Sequence, residues 1–220
     1  MWWIDIIFCA VSIFAGYVGA CCYLTNTNVL HVRPRTIKLT PKRIAYLIIG
    51  VASIATLAFF LNVPHALPLP SRINLLSLAL LILPVSAIDS KLQKIPNIFL
   101  LVGLIVRLLY LAIYFIQDVS AAWNVTKDSL LGCVIIGLFF IVLLFVFKNS
   151  VGMGDIKLFA LMGLYQGLWG VINSVFFSLT VSFFLSIALL ITKKKGRKDT
   201  ISFGPSIYLG TIIAICMAGI

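Results

Sequence analysis

The sequence predicts an all-α protein: a polytopic transmembrane helical bundle of about eight spans, with both termini on the outer face. Three observations carry this expectation. The 220 residues are 62 % hydrophobic and only 10 % charged, where ordinary soluble domains are about 45–50 % apolar. Apolar stretches long enough to cross a bilayer as helix, roughly 20 residues, recur along the chain, and mean hydropathy is +1.15. Lysines and arginines gather in alternate loops, as they do on the cytoplasmic side of membrane proteins. The whole of 1–220 reads as a single integral-membrane domain.

The elements follow from apolar runs and their punctuation. Helices are predicted at about 2–24, 43–62, 72–89, 97–116, 129–147, 155–170, 172–191 and 202–219. The third carries Pro84, so a kink is expected there. The sixth and seventh are joined by Tyr165-Gln166-Gly167-Leu168-Trp169-Gly170, short enough to turn at the membrane interface. Met1-Trp2-Trp3-Ile4-Asp5 lacks the positive start of a signal peptide, and its tryptophans suit an interfacial anchor. The first segment is therefore kept as a span.

Orientation rests on the basic loops. Arg33, Arg35, Lys38, Lys42 and Arg43 lie between helices one and two, and Lys193, Lys194, Lys195, Arg197 and Lys198 between seven and eight. Lys91, Lys94, Lys148 and Lys157 flank two further segments, while only Arg72 and Lys127 are expected in loops of the opposite face. The rich loops belong in the cytoplasm. The net charge of +11 then reflects topology and attraction to anionic lipid headgroups. The basic loops are too short to form a nucleic-acid-binding domain.

Cys9, Cys21, Cys22, Cys133 and Cys216 fall in or beside apolar segments without a C-x-x-C pair, which favours packing over metal binding. His31 and His65 fall on opposite faces and cannot share a metal.

The chain has six acidic residues, all aspartate, so carboxylate chemistry falls to very few groups. Asp89 lies in Ser86-Ala87-Ile88-Asp89-Ser90-Lys91-Leu92-Gln93-Lys94-Ile95-Pro96-Asn97, and Asp155 in Val151-Gly152-Met153-Gly154-Asp155-Ile156-Lys157. Either alone is readily a helix-ending residue in water. Both, however, fall at the cytoplasmic face, and a carboxyl near the bilayer is a functional hypothesis by default. Asp89 would close helix three, whose dipole disfavours ionisation, and Asp155 would open helix six, whose dipole favours it. Opposed environments suit an acid–base pair, with Asp89 as proton carrier and Asp155 as base. Gly152 and Gly154 would let an extended substrate backbone come close; an ordinary flexible loop reads the same way. Pro96 holds Ile95 extended, and Asn97 is placed to cap helix four. Lys157 stands two positions past Asp155 on another helical face, so it is not that residue's natural partner.

Asp89, five intervening residues, Ile95-Pro96-Asn97 and the later Gly152-Met153-Gly154-Asp155-Ile156-Lys157 together resemble the type IV prepilin peptidase family of membrane aspartic proteases. Ile201-Ser202-Phe203-Gly204-Pro205-Ser206 is similar to that family's Pro-Phe-Gly-Pro stretch, with Ser202 in place of the first proline. The similarity covers about 75–220. It implies a two-aspartate endopeptidase, with Asp89 and Asp155 as the catalytic pair and Gly152, Gly154, Pro96, Asn97 and Lys157 binding substrate or supporting the site. It also implies a location in the bacterial inner or plasma membrane, and a prepilin or pseudopilin substrate with a basic leader and a hydrophobic helix. Membrane lipids are the other expected partner, nucleic acid is not one, and no metal or organic cofactor is signalled.

Many members of the family carry a cysteine-rich insert with N-methyltransferase activity. Here the loop from Thr25 to Lys42 is too short for a domain and has no cysteine pair, so cleavage without methylation is expected. Three alternatives stand beside this reading, one of them a non-enzymatic assembly protein retaining the fold, against which the intact Asp89 and Asp155 argue. A presenilin or signal-peptide-peptidase type protease also uses Gly-x-Gly-Asp, but no Pro-Ala-Leu motif follows Asp155. A proton- or ion-coupled transporter would use paired aspartates near the bilayer midplane, and Arg107, deep in a span, is the residue that most favours it.

Overall fold

The computed structural model describes residues 41–62, 69–146, 152–192 and 202–218. Regular structure among them is all helical: α1 (Pro41–Asn62), α2 (Leu69–Leu92), α3 (Asn97–Gln117), α4 (Val119–Val146), α5 (Met153–Ile191) and α6 (Gly204–Ala218). Pro70–Leu92, Asn97–Gln117, Val119–Val146 and Met153–Ile191 are long and apolar enough to cross a membrane, and the chain is an integral membrane protein. The helix expected at 2–24 lies outside the described residues. So do most of the basic residues that orient the chain, and with them the count of about eight spans and the facing of the termini.

α2 is the central element. Leu76, Leu78, Ala79, Ile82, Val85 and Ile88 point in every direction around its axis, and all are fully buried. A helix that is apolar all round asks for cover on every side. α2 runs through Pro84 to Leu92. α3 and α4 behave differently: Leu101, Leu108, Leu138 and Phe139 each keep more than half their surface exposed, as suits helices whose solvent is lipid.

Lipid tails are as apolar as leucine, so helices in a membrane associate through close backbone approach and polar contacts. Both occur here. A side chain on Gly163 would run into the backbone of Gly132 and Cys133, drawing α5 onto α4. The backbone of Ser178 occupies the space beside Gly210, drawing α6 onto α5. Arg107, 1 % exposed, ties three helices: Nη1 donates to Asn74 Oδ1 at 2.8 Å and Nη2 to Ser129 Oγ at 2.7 Å. Its guanidinium lies 5.0 Å from the Tyr110 ring and 5.7 Å from the Tyr165 ring. The residue that favoured a transporter is thus a packing contact between helices, and its partner Asn74 lies 15 residues along α2 from Asp89, or roughly 22 Å of helical rise.

α5 is two helices. Gly167 takes φ 70 and ψ −173, a backbone conformation that favours glycine. A straight helix would set Asp155 and Ser178 roughly 35 Å apart. Yet Ser178 Oγ donates to the carbonyl of Ile207 at 3.5 Å, three residues beyond Gly204, whose amide binds Asp89 beside Asp155. The chain therefore folds back at Gly167, between the segments predicted as 155–170 and 172–191. Asp128 of α4 fills the space a side chain at 167 would need and accepts from the Leu168 amide at 3.3 Å.

Two expectations are corrected. The helix predicted at 129–147 begins ten residues earlier, because Asp118 Oδ1 accepts from the amides of Ser120 and Ala121, both at 3.0 Å, and caps the new start. Arg72 and Lys127, expected in loops, stand inside α2 and α4. Arg72 is buried at 8 % exposure, and Lys127 Nζ sits 5.4 Å from the Trp123 ring.

Candidate active site

The site forms where the end of α2 meets the starts of α5 and α6. Asp89 lies in the last turn of α2, 5 % exposed. Past Leu92 the helix stops because Gln93 turns left-handed, with φ 50, while its amide still donates to the Asp89 carbonyl at 2.8 Å. Residues 94–96 are then non-helical and Pro96 is extended, φ −71 and ψ 128. This carries the chain across to α3.

The carboxyl of Asp89 is held from the far end of the sequence. The Gly204 amide donates to Oδ2 at 2.7 Å, and the Phe203 amide also bonds the carboxyl. A Cβ at Gly204 would stand 2.8 Å from the Asp89 Cβ, 2.9 Å from its Oδ2 and 3.1 Å from the Ser86 Cα. Only glycine lets the start of α6 come this close. Phe203 packs against Phe159 at 5.9 Å between ring centroids, which fixes this donor segment to α5.

Asp155 opens α5 three residues after the N-cap, Gly152, which is extended at φ −73 and ψ 139. The Asp155 amide donates to the Gly152 carbonyl at 3.0 Å, and the Gly152 amide bonds back to the Asp155 carboxyl. This is the returning half of a capping box, with an aspartate as the returning side chain and a glycine at the cap that has none to offer. Asp155 is half-buried and lies within electrostatic reach of Asp89. A Cβ on Gly154 would meet the Ile95 Cβ at 2.9 Å, so the two motifs that carry the aspartates pack directly on one another.

Both carboxyls therefore face a helix N-terminus, Asp89 that of α6 and Asp155 that of α5. The expected contrast between a helix end that disfavours charge and one that favours it is absent, because α6 supplies amides that offset the end of α2. Helix ends do not separate proton carrier from base.

Asn97 does not cap α3. The cap position is Pro96, with no side-chain cap bond, and Asn97 Oδ1 instead accepts from Lys157 Nζ at 3.2 Å. Lys157 thus reaches toward the start of α3. Gly204 and Phe203 are the site groups that the sequence did not single out as site residues. The glycine before Pro205 at a helix start was the available signal. No cluster of three or more His, Cys, Asp or Glu with metal-binding geometry exists among the described residues.

The sequence profile of the Type IV leader peptidase family matches residues 75–191, more than half the chain, and the chain belongs to that family. It is 32 % identical over 107 residues to the prepilin leader peptidase/N-methyltransferase of Bacillus subtilis strain 168. That alignment covers 46 % of this chain and 43 % of the relative's length, so the chain matches less than half of that protein. No solved structure matches the chain significantly.

Proposed function

We propose that this chain is an aspartic endopeptidase that removes the short basic leader of a prepilin-like protein at the cytoplasmic border of the membrane. The observation that carries the reading is the juxtaposition of Asp89 and Asp155, each held by backbone amides at a helix start, within a family of leader peptidases. Two carboxyls this close share a proton more readily than both ionise. The charged one takes a proton from water, whose oxygen adds to the scissile carbonyl while the other donates its proton to the carbonyl oxygen. Collapse of the tetrahedral diol breaks the C–N bond, and the amide nitrogen leaves with a proton returned by the pair. Water and the peptide are consumed, and no cofactor enters.

Gly152, with an extended backbone ahead of Asp155, is suited to lie beside an extended substrate strand. Pro96 and Ile95 support the Gly154 step. Asn97 and Lys157 brace the starts of α3 and α5 against each other. Methyl transfer is not part of the proposal, since the loop from 25 to 42 offers no cysteine pair for it. The transporter reading loses its chief support now that Arg107 has neutral packing partners.

The reading is tested by co-expressing the chain with a type IV prepilin in membranes and following leader loss by mass spectrometry. Wild type is expected to cut at the border of the leader and the hydrophobic helix, with Asp89→Asn and Asp155→Asn both inert at equal expression. Cleavage that survives either substitution sinks the assignment.

A further inference from the structure

A groove of about 650 Å³ opens on the surface between α3, α4 and α5, and neither Asp89 nor Asp155 lines it. Its walls are Leu100, Leu101 and Leu104 of α3 and Leu164 of α5, with Cys133 of α4 at one side and the small Ala160 as floor. Its mouth is polar: Asn97 and Lys157 line it, and Lys157 is exposed. Lys157 follows Asp155 by two residues, about 200° around the helix, so it turns its back to the catalytic pair.

The dimensions and the chemistry of this groove select an occupant. From Asn97 to Leu104 the helix rises about 10 Å, and one leaflet of the hydrocarbon core is about 15 Å deep. The groove therefore belongs to one leaflet, with its single charged end at the headgroup level and its apolar end toward the midplane. A partner helix about 10 Å wide would cross both leaflets and gain nothing from a cation at one end alone. An amphiphile with a negative head and a hydrocarbon tail fits both ends.

We infer that the α3–α5 groove is a binding site for an anionic phospholipid, whose phosphate pairs with Lys157 and Asn97 and whose acyl chain lies against Leu101, Leu104 and Leu164. The site uses a different face of α5 from the aspartates and does not depend on the peptidase reading.

The test is photo-cross-linking of the full chain in nanodiscs with phosphatidylglycerol bearing a diazirine in its acyl chain, followed by peptide mapping. Cross-links are expected to concentrate at the groove walls and to be competed away by unlabelled phosphatidylglycerol but not by phosphatidylcholine. Lys157→Gln is expected to reduce them about fivefold, the value of one headgroup-level cation. Ala160→Leu, which raises the floor, should displace them without altering the mouth. The inference is overturned if labels spread evenly over the exposed faces of α3 and α4, if phosphatidylcholine competes equally, or if only a prepilin helix clears the groove. The wild-type map alone decides it, so a variant that fails to fold does not rescue the idea.

Discussion

A carboxyl buried to 5 % exposure inside a membrane bundle is costly unless hydrogen-bonded, and at Asp89 two backbone amides meet that cost. Their delivery depends on Gly204. An alanine methyl there would press within 2.9 Å of Asp89 Oδ2 and push either the carboxyl or the start of α6 aside. Displacements of about 1 Å at a reacting group cost about 100-fold in rate, so Gly204→Ala is expected to lower the turnover of prepilin about 100-fold while the protein stays folded. Turnover in membranes, with intact expression and thermal stability as controls, checks this; a wild-type rate would show that the contact does not matter. Asp89 and Asp155 were legible in the sequence because acids are so scarce and because both fall at one membrane face. The donors on Phe203 and Gly204 were not. Gly204 lies 115 positions from Asp89 with Phe203 beside it, and no local pattern reports such a contact.

The elements show what hydropathy alone hides. Asn124, Lys127 and Asp128 dilute the apolar run ahead of residue 129, yet those residues are helical and the boundary is set by the Asp118 cap. The Ala121 amide, foremost among its partners, holds the Asp118 carboxyl below its ordinary value of 3.8. A group depressed on folding stabilises above its unfolded value and stops doing so as pH falls through the folded one. As pH falls through the folded value, below 3.8, protection of the Ser120 and Ala121 amides should therefore drop in wild type, while Asp118→Asn, which does not titrate, should show no such step. Hydrogen exchange compared at matched pH reads this directly, and identical pH profiles would refute the cap. The break between 155–170 and 172–191 was legible from its glycines, though not its sharpness. Gly167→Ala forces an alanine into a positive-φ, extended-ψ conformation that belongs to glycine, about 1–3 kcal/mol, and displaces Asp128 besides. A loss of at least about 1 kcal/mol in detergent unfolding is expected, and an unchanged midpoint would mean the fold-back lies elsewhere.

At the scale of the whole molecule, three distant segments converge on one site: the end of α2, the glycine-flanked start of α5 and the start of α6. The family match spans 75–191 and so covers the first two, while α6 beyond it supplies the donors to Asp89. The helical class and the meeting of the Ile95-Pro96-Asn97 and Gly152–Asp155 motifs could be reasoned from composition, charge and spacing. The Arg107 tie and the capping of one half of α5 by Asp128 could not, because each joins helices whose register no sequence pattern states. The central claim is that Asp89 and Asp155 act as one catalytic unit. Groups that act together lose activity together, so their losses do not multiply. The deciding measurement is the single-turnover rate of leader cleavage for Asp89→Asn, Asp155→Asn and the double variant. The account predicts that all three fall to the same floor. Losses that multiply in the double variant, or a single variant that keeps most of its rate, would contradict it.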